Sequence, residues 1–256
     1  MKLTAFFSLS ALSALTALAP ACTPTSDRAD AYDSLTEALG GGVLDDTGAQ
    51  HAAFMREEEK LARDVYLYLD ARYDHRTFNN IARSEQRHVD LMGAVAEAYA
   101  LPAPAGTDEA GVYENADLSA LHAQLVTAAD ASLVAALGVG ALIEETDIAD
   151  LQSALEDAPP ADVAAVYTRL LGASQNHLRA FVRALAAEGE TYVPQVMPQA
   201  EFDATLAATP THGRGQGSGD CDGSGQGQGQ GQGRGNGNGQ GRGNGQGRGN
   251  GGGRGR

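Results

Sequence analysis

The chain has 256 residues and a formal net charge of −15, with 18 basic and 33 acidic side chains. Residues 209–256 hold six arginines and two aspartates, a net charge of +4, which leaves −19 on the residues before them. This strongly acidic body argues against nucleic-acid binding, because phosphate contacts require a basic surface. The two cysteines are too few for a disulfide scaffold or a cysteine-ligated zinc site.

The N-terminus has the pattern of a secretory signal. Within residues 1–22, Lys2 precedes an apolar run that is too short for a transmembrane helix, and small residues precede Cys22. Cys22 follows these residues as in a bacterial lipoprotein signal, in which the cysteine carries the lipid. The alternative is plain cleavage, which leaves Cys22 free to pair with Cys221. We therefore predict an exported protein, periplasmic or at the cell surface, whose only membrane attachment is a lipid on Cys22.

Two polar stretches flank the central part of the chain. Residues 23–50 are predicted to be a spacer with one short helix near 32–39. Residues 209–256 alternate glycine with Gln, Asn and Arg, and contain too few apolar side chains to offset chain entropy, so we predict a disordered tail. Residues 51–208 remain as the single folded domain.

Apolar residues recur every three or four positions through this domain, which predicts an all-α fold. The expected elements are four long helices at about 51–71, 77–100, 132–157 and 161–188, and a shorter helix at 117–129. Thr77 is the predicted N-cap of the second long helix, and the third is predicted to begin at Ser132. Helices of these lengths favour a four-helix bundle, with the short helix in the long connection between helices two and three.

Each long helix places ionisable side chains in the middle of its predicted buried face. These are Glu85 and His88 on the second helix, Glu144 on the third and His177 on the fourth. On the first helix two alternative buried faces fit the apolar pattern, one through Glu59 and Tyr66 and the other through Glu58. A buried, unpaired carboxylate is costly, so these groups must be paired, protonated or bound to a cation.

The spacing of Glu85 and His88 is that of a metal-binding Glu-x-x-His motif. It sets both groups on one helical face about a turn apart, so that the carboxylate can bridge two ions while the imidazole binds one. Oxygen and imidazole ligands suit iron or manganese. The structural alternative is a set of buried ion pairs, Glu85 with His88 and Glu144 with His177.

Four blocks of the domain carry a family resemblance, at residues 56–66, 81–88, 144–148 and 174–181. Over about residues 51–205 the chain resembles the ferritin-like superfamily, in particular the rubrerythrin-type four-helix bundle. It is most similar to an uncharacterised ferritin-like family of bacteria and archaea. The spacing of Glu59, Ala62 and Tyr66 is similar to the first-helix signature of the superfamily and favours Glu59 over Glu58 as a ligand.

The resemblance implies a ligand set of Glu59, Glu85, His88, Glu144 and His177. Glu85 and Glu144 would be bridging carboxylates or those nearest the metals, and the other three would be terminal ligands. The fourth helix departs from the family pattern, because Ser174 stands where a second Glu-x-x-His has its glutamate. Two metals then require Glu145, Asp147 or water at that position, and a single iron is the alternative.

The resemblance also implies an activity, the oxidation of Fe(II) by oxygen or peroxide, or the reduction of peroxide. Fe(II) and oxygen or peroxide are the expected small-molecule partners. The protein partner to be tested is a second copy of the chain, in a homodimer. A non-catalytic envelope protein for metal sequestration or partner binding is the alternative, so enzymatic activity stays an open question. A third reading is a scaffold in which the glycine-rich tail is the functional part.

The other polar residues of the first two helices are predicted to have structural roles. Tyr66 is expected to hydrogen-bond a carboxylate in the core. A solvated, charged surface is expected for Glu57, Glu58, Arg63, Asp64, Arg87 and Asp90.

Overall fold

The computed structural model describes residues 26–102 and 109–208, with the backbone alone for 26–30. These stretches form seven helices and no strand, so the all-α prediction is confirmed. The helices are α1 (Ser26–Ala38), α2 (Asp46–Tyr73), α3 (Arg76–Ala98), α4 (Ala116–Ala129), α5 (Leu133–Glu156), α6 (Ala161–Ala187) and α7 (Gln199–Ala207). None of the described helices is both long and apolar enough to cross a bilayer. The predicted signal at 1–22 and tail at 209–256 lie outside the described residues.

The helix ends follow local capping chemistry. α2 begins after Asp45, whose Oδ1 accepts a hydrogen bond from the backbone N–H of Gly48 at 2.8 Å. Ser132, the predicted start of the third long helix, is the N-cap of α5, since its Oγ accepts from the N–H of Ala135 at 3.1 Å. The prediction for Thr77 is wrong: α3 begins one residue earlier, and His75 occupies the N-cap without a side-chain cap bond. The turn from α2 into α3 is closed instead by Asp74 in the left-handed conformation.

The four long helices α2, α3, α5 and α6 surround a common interior. α2 packs mainly against α3 and α5 against α6, while contacts of α2 with α5 and of α3 with α6 join the two pairs. α4 lies in the connection between α3 and α5 and packs on α2 and α5. This arrangement brings the midpoints of the four long helices close together.

Two further helices pack on these four at either end of the described chain. α1 contains the helix predicted near 32–39 and contacts α3 and α6. α7 contacts α6, where Nη1 of Arg179 donates to the carbonyl oxygen of Thr205 at 2.6 Å. Residues that the sequence assigns to a spacer therefore include α1 and the first turn of α2.

Two apolar clusters fill the interior, and a layer of polar side chains lies between them. The first cluster includes Tyr66, Phe78, Ile81, Leu137 and Phe181. The second includes Met55, Met92, Val95, Val166 and Leu170. Burying each large apolar side chain stabilises the fold by about 1.5–3 kcal/mol. The clusters therefore hold the helices together on both sides of the polar layer and keep water from it.

Gly140 marks a close approach between α5 and α6. A Cβ atom on Gly140 would lie 2.4 Å from Cε1 of the fully buried Phe181 ring, whereas a Cβ on Gly138 would meet nothing within 4 Å. We expect Gly140→Ala to lower the free energy of unfolding by about 1–3 kcal/mol through overpacking. Gly138→Ala, the control on the same helix, is expected to be neutral or stabilising by up to about 1 kcal/mol. Urea unfolding measures both, and equal effects of the two substitutions would contradict the assigned contact.

Candidate metal centre

The structure places all five predicted ligands in the polar layer, each no more than 5% exposed. They are Glu59 from α2, Glu85 and His88 from α3, Glu144 from α5 and His177 from α6. Of the two faces open on the first helix, the one through Glu59 and Tyr66 is buried along its length. The face through Glu58 ends at Tyr68, which is 37% exposed. Glu58 is buried as well, but among the described residues Glu59, not Glu58, belongs to a group of mutually close donor atoms.

The first group of donor atoms joins α2 and α3. Nδ1 of His88 lies 3.0 Å from Oε2 of Glu59 and 2.6 Å from Oε2 of Glu85. The three residues present ligand atoms that all lie within 4.8 Å of one another. A cation of ordinary size can contact all three.

The second group joins α3, α5 and α6. Nδ1 of His177 lies 2.7 Å from Oε1 of Glu85 and 3.4 Å from Oε2 of Glu144. These three residues also present atoms within 4.8 Å of one another. Glu85 belongs to both groups and turns a different oxygen toward each histidine, and the two imidazole rings lie 5.7 Å apart between centroids. One carboxylate therefore connects two adjacent donor sets.

Several of these atoms are close together without forming hydrogen bonds. Oε1 of Glu85 and Nδ1 of His177 are separated by 2.7 Å, yet neither has a hydrogen-bond partner among the described residues. Oε1 of Glu59 is buried and unpartnered as well. Leaving a buried polar atom unsatisfied costs about 1–3 kcal/mol, more for a charged group. A cation between the groups would satisfy these atoms, so the donor set fits a metal.

The ionisable side chains of the polar layer have pKa values that are shifted in different directions. Burial raises the pKa of Glu59 and of Glu144 above the usual range of a glutamate. For Glu85, burial acts in the same direction, but the charges of His177 and His88 outweigh it and lower the pKa. Burial lowers the pKa of each histidine, but the surrounding acidic groups raise it well above its ordinary value. Without a cation the layer therefore retains protons, which binding of a divalent metal would release.

Two tyrosines contact the layer. Tyr66 donates a hydrogen bond from its hydroxyl to Oε1 of Glu144 at 2.6 Å, so its predicted contact with a core carboxylate is confirmed. Tyr32 of α1 stacks on His88, with 6.1 Å between ring centroids. Tyr32 was not among the predicted site residues, because it lies in the stretch predicted to be a spacer and only tertiary packing brings it to His88.

Ser174 lies on α6, one turn before His177. Its Oγ donates to Oδ2 of Asp147 on α5 and lies 3.0 Å from the carbonyl oxygen of Leu170. Both Ser174 and Asp147 are buried. Burial and the charge of Glu144 raise the pKa of Asp147 to about 7. The structure thus brings a carboxylate from α5 against the serine of α6.

Glu145 points away from this layer, although it neighbours Glu144 in the sequence. It accepts hydrogen bonds from the hydroxyl of Tyr192 at 2.7 Å and from the backbone N–H groups of Gln195 and Met197, at 2.8 and 2.7 Å. It accepts from Val196 N–H as well. Glu145 is therefore occupied in fixing the segment between α6 and α7.

The predicted charged surface on the first helix is wrong for Glu57, Glu58 and Asp64, which are all buried. Glu57 accepts from the backbone N–H of Asn115 at 3.0 Å, beside the start of α4. Burial and the charge of Asp147 raise the pKa of Glu58 well above its usual range. Sequence spacing cannot show that the segment before α4 covers this side of α2.

Asp64 is the centre of a second buried polar cluster, distinct from the polar layer. It accepts from Nζ of Lys60 at 2.7 Å, from Nη2 of Arg63 at 2.7 Å and from the hydroxyl of Tyr113 at 3.0 Å. Nζ of Lys60 also donates to the carbonyl oxygens of Glu109 and Val112. This cluster attaches the segment before α4 to α2.

Comparison with known proteins places these features in a family. A family model described as "Uncharacterized protein domain (DUF2202)" matches residues 48–209, more than half of the chain. The chain belongs to the DUF2202 family. It is 43% identical over 159 residues to the uncharacterized protein MJ0754 of Methanocaldococcus jannaschii, covering 62% of this chain and 86% of that protein. A crystal structure of hypothetical protein MJ0754 from Methanococcus jannaschii DSM 2661 superposes with a TM-score of 0.64 at 40% identity, over 66% of this chain and 97% of that one.

The match to DUF2202 contains the whole polar layer but not α1. All five predicted ligands, together with Asp147 and Ser174, lie within residues 48–209. Tyr32, which stacks on His88, precedes the matched region. Experiments on the layer therefore require the chain with α1 present.

Proposed function

We propose that this DUF2202 protein is an exported metalloprotein in which a ferritin-like bundle of α2, α3, α5 and α6 holds two iron ions. The observation that carries the proposal is the pair of buried donor groups that share Glu85. Carboxylate and imidazole donors suit iron, with manganese as the second choice of metal. The proposed activity is the oxidation of Fe(II) by oxygen or peroxide, or the reduction of peroxide. The export part rests on the sequence of residues 1–22.

Each donor group would hold one ion. Glu59 and His88 would bind the first, Glu144 and His177 the second, and Glu85 would contribute one oxygen to each. The separate approaches of the two Glu85 oxygens to His88 and His177 support this bridging role. Two adjacent iron ions would supply the redox chemistry and the sites at which oxygen or peroxide reacts.

The surrounding residues would orient the ligands and keep the site dry. Tyr66 holds Oε1 of Glu144, which leaves Oε2 facing His177. The apolar clusters on both sides exclude water, and electrostatic interactions are stronger in such surroundings. The net charge of −20 on residues 23–208 would draw cations toward the chain.

One observation favours a second candidate, a non-catalytic protein that sequesters metal. Ser174 replaces a carboxylate in the fourth helix, and a hydroxyl is a weak iron ligand. Fewer ligands on one ion would weaken its binding and leave a single firmly held iron. In this alternative the bound metal stabilises the fold or is stored without turnover.

The metal content of the full chain after anaerobic incubation with Fe(II) tests the proposal. We expect about two irons per chain, and repeated consumption of oxygen or peroxide when either is added. About one iron per chain without turnover would support the sequestration alternative. No bound metal would overturn both and would leave the layer as a set of buried ion pairs.

A further inference from the structure

The fourth helix leaves the proposed site short of one carboxylate, and the structure contains a replacement on another helix. α2 and α3 together offer two carboxylates and an imidazole from Glu59, Glu85 and His88. α5 and α6 offer Glu144 and His177, with Ser174 one turn before the histidine. The following inference rests on the proposed function, because it concerns the ligands of the same site.

Asp147 lies one helical turn after Glu144 on α5, so that both side chains face the same interior. It is 5% exposed, and its Oδ2 accepts the hydrogen bond from Ser174. Its Oδ1 is buried and has no hydrogen-bond partner among the described residues. A buried carboxylate with one oxygen held and the other unpartnered is costly unless a cation or proton compensates it.

Asp147 also lies within electrostatic range of the proposed ligands. The negative charges of Glu144 and Glu85 act on it, and it acts in turn on Glu59. Asp147 thus lies close enough to both donor groups to interact with them electrostatically, although its oxygens lie outside the two sets of mutually close donor atoms. The hydrogen bond from Ser174 places Asp147 directly beside position 174 of α6.

Glu145, the other carboxylate of α5 that the sequence offers for this position, is already occupied. Both oxygens of Glu145 accept hydrogen bonds from the segment between α6 and α7, including those from Gln195 and Met197. Turning Glu145 inward would break these bonds and leave the buried N–H of Met197 unsatisfied. Of the two carboxylates that could compensate for Ser174, only Asp147 is oriented toward the layer.

We propose that Asp147 is the sixth protein ligand of the site, binding through Oδ1, and that Ser174 is a positioning residue that holds Oδ2. The carboxylate that a second Glu-x-x-His would place on α6 is thus supplied by α5 across the interior. Exchange of a glutamate for a serine on one helix and recruitment of an aspartate on the facing helix keep the carboxylate number unchanged. The expected capacity of the site is then about two irons.

Relocating the carboxylate tests this proposal. Anaerobic Fe(II) titration of the full chain, with bound iron counted after dialysis, is expected to show that Asp147→Ala weakens the second iron at least about tenfold. The double variant Asp147→Ala with Ser174→Glu, which returns a carboxylate to α6, is expected to regain it. Glu156→Ala, an exposed acidic residue of the same helix, is the matched control and should bind like the wild type.

The positioning role of Ser174 has its own readout. Ser174→Ala removes the hydroxyl and is expected to weaken the second iron by about tenfold while leaving the first unchanged. Ser174→Thr keeps the hydroxyl and should restore the affinity. A purely structural serine would alter the stability of the metal-free chain without separating the two affinities.

The outcomes also distinguish this inference from the proposed function. Wild-type affinity for both irons in folded Asp147→Ala and Asp147→Asn would overturn the assignment of Asp147 and leave the five-residue site standing. A loss that Ser174→Glu does not restore would overturn the equivalence of the two positions. A wild-type chain that binds no iron would overturn the proposed function itself. Circular dichroism confirms that each variant is folded before its iron is counted.

Discussion

Glu85→Ala is expected to reduce bound iron from about two ions per chain to nearly none, the largest functional effect of any single substitution. The reason is that the Glu85 carboxylate belongs to both donor groups, with one oxygen near His88 and the other near His177. Metal content by elemental analysis provides the first measurement. The second is the metal-dependent increase in thermal stability, which for the wild type corresponds to about 4 kcal/mol at a free-metal concentration of about 1,000 Kd.

Two further variants make the result specific. Glu85→Gln keeps the size of the side chain but lacks the charge, and it is expected to lose the metal-dependent stabilisation as well. Glu97→Ala removes an exposed glutamate from the same helix and should bind metal like the wild type. If Glu85→Ala keeps the full metal-dependent stabilisation, Glu85 is not a ligand. If neither the wild type nor the variant binds metal, a lower stability of the variant identifies Glu85 as part of an ion-pair network.

Asp64→Ala is expected to cause the largest loss of stability, about 3–5 kcal/mol of unfolding free energy. It removes the acceptor of hydrogen bonds from Lys60, Arg63 and Tyr113, and it leaves the buried ammonium of Lys60 without its carboxylate. Urea unfolding at neutral pH measures the effect. Asp70→Ala is the matched control on α2, because Asp70 is less buried and accepts a hydrogen bond from an exposed side chain, that of Asn79. We expect that variant to lose less than about 1 kcal/mol.

The pH dependence of the Asp64 effect has a defined sign. Burial raises the pKa of Asp64, but hydrogen bonds from Lys60 and Arg63 outweigh it and lower the pKa below its ordinary value. A carboxylate with a depressed pKa in the folded state stabilises the protein above the pKa of the unfolded chain, about 4 for aspartate. That stabilisation is lost as the pH falls through the folded-state pKa. The difference between wild type and variant should therefore be largest near neutral pH and shrink in acid, and a pH-independent difference would contradict this account.

Helical periodicity was sufficient to place the central residues of the candidate site. Glu85 and His88 fall on the apolar face of α3 because positions three apart share a face, and the same rule places Glu144 and His177 on their helices. A carboxylate on the apolar face of an amphipathic helix is visible in the sequence, since its neighbours at three- and four-residue spacing are apolar. The four helices then meet at one level because their buried faces must pack together.

Contacts between distant segments of the chain could not be predicted from helical periodicity. Glu57 and Asp64 have the local spacing of a solvated surface, but the segment before α4 covers them. The helical pattern around Tyr32 predicts a helix and carries no information about the residue on which that helix packs. Such contacts depend on how connections fold back over the long helices, and residue spacing within a helix does not encode that path.

Residue spacing was sufficient to predict the all-α class and the buried faces of the last three long helices, with Glu85, His88, Glu144 and His177 on them. Helical period and the cost of burying charge act within single helices, so such faces can be recognised locally. On the first helix the same pattern left Glu58 and Glu59 as alternatives, and the family resemblance favoured Glu59.

Residue spacing could not tell which of Glu145 and Asp147 contacts Ser174, since both lie on α5 within three residues of Glu144. The packing of the segment between α6 and α7 settles this, because that segment occupies Glu145. Hydrogen bonds from a distant part of the chain, rather than local spacing, thus hold Glu145 in a structural role and leave Asp147 in the interior.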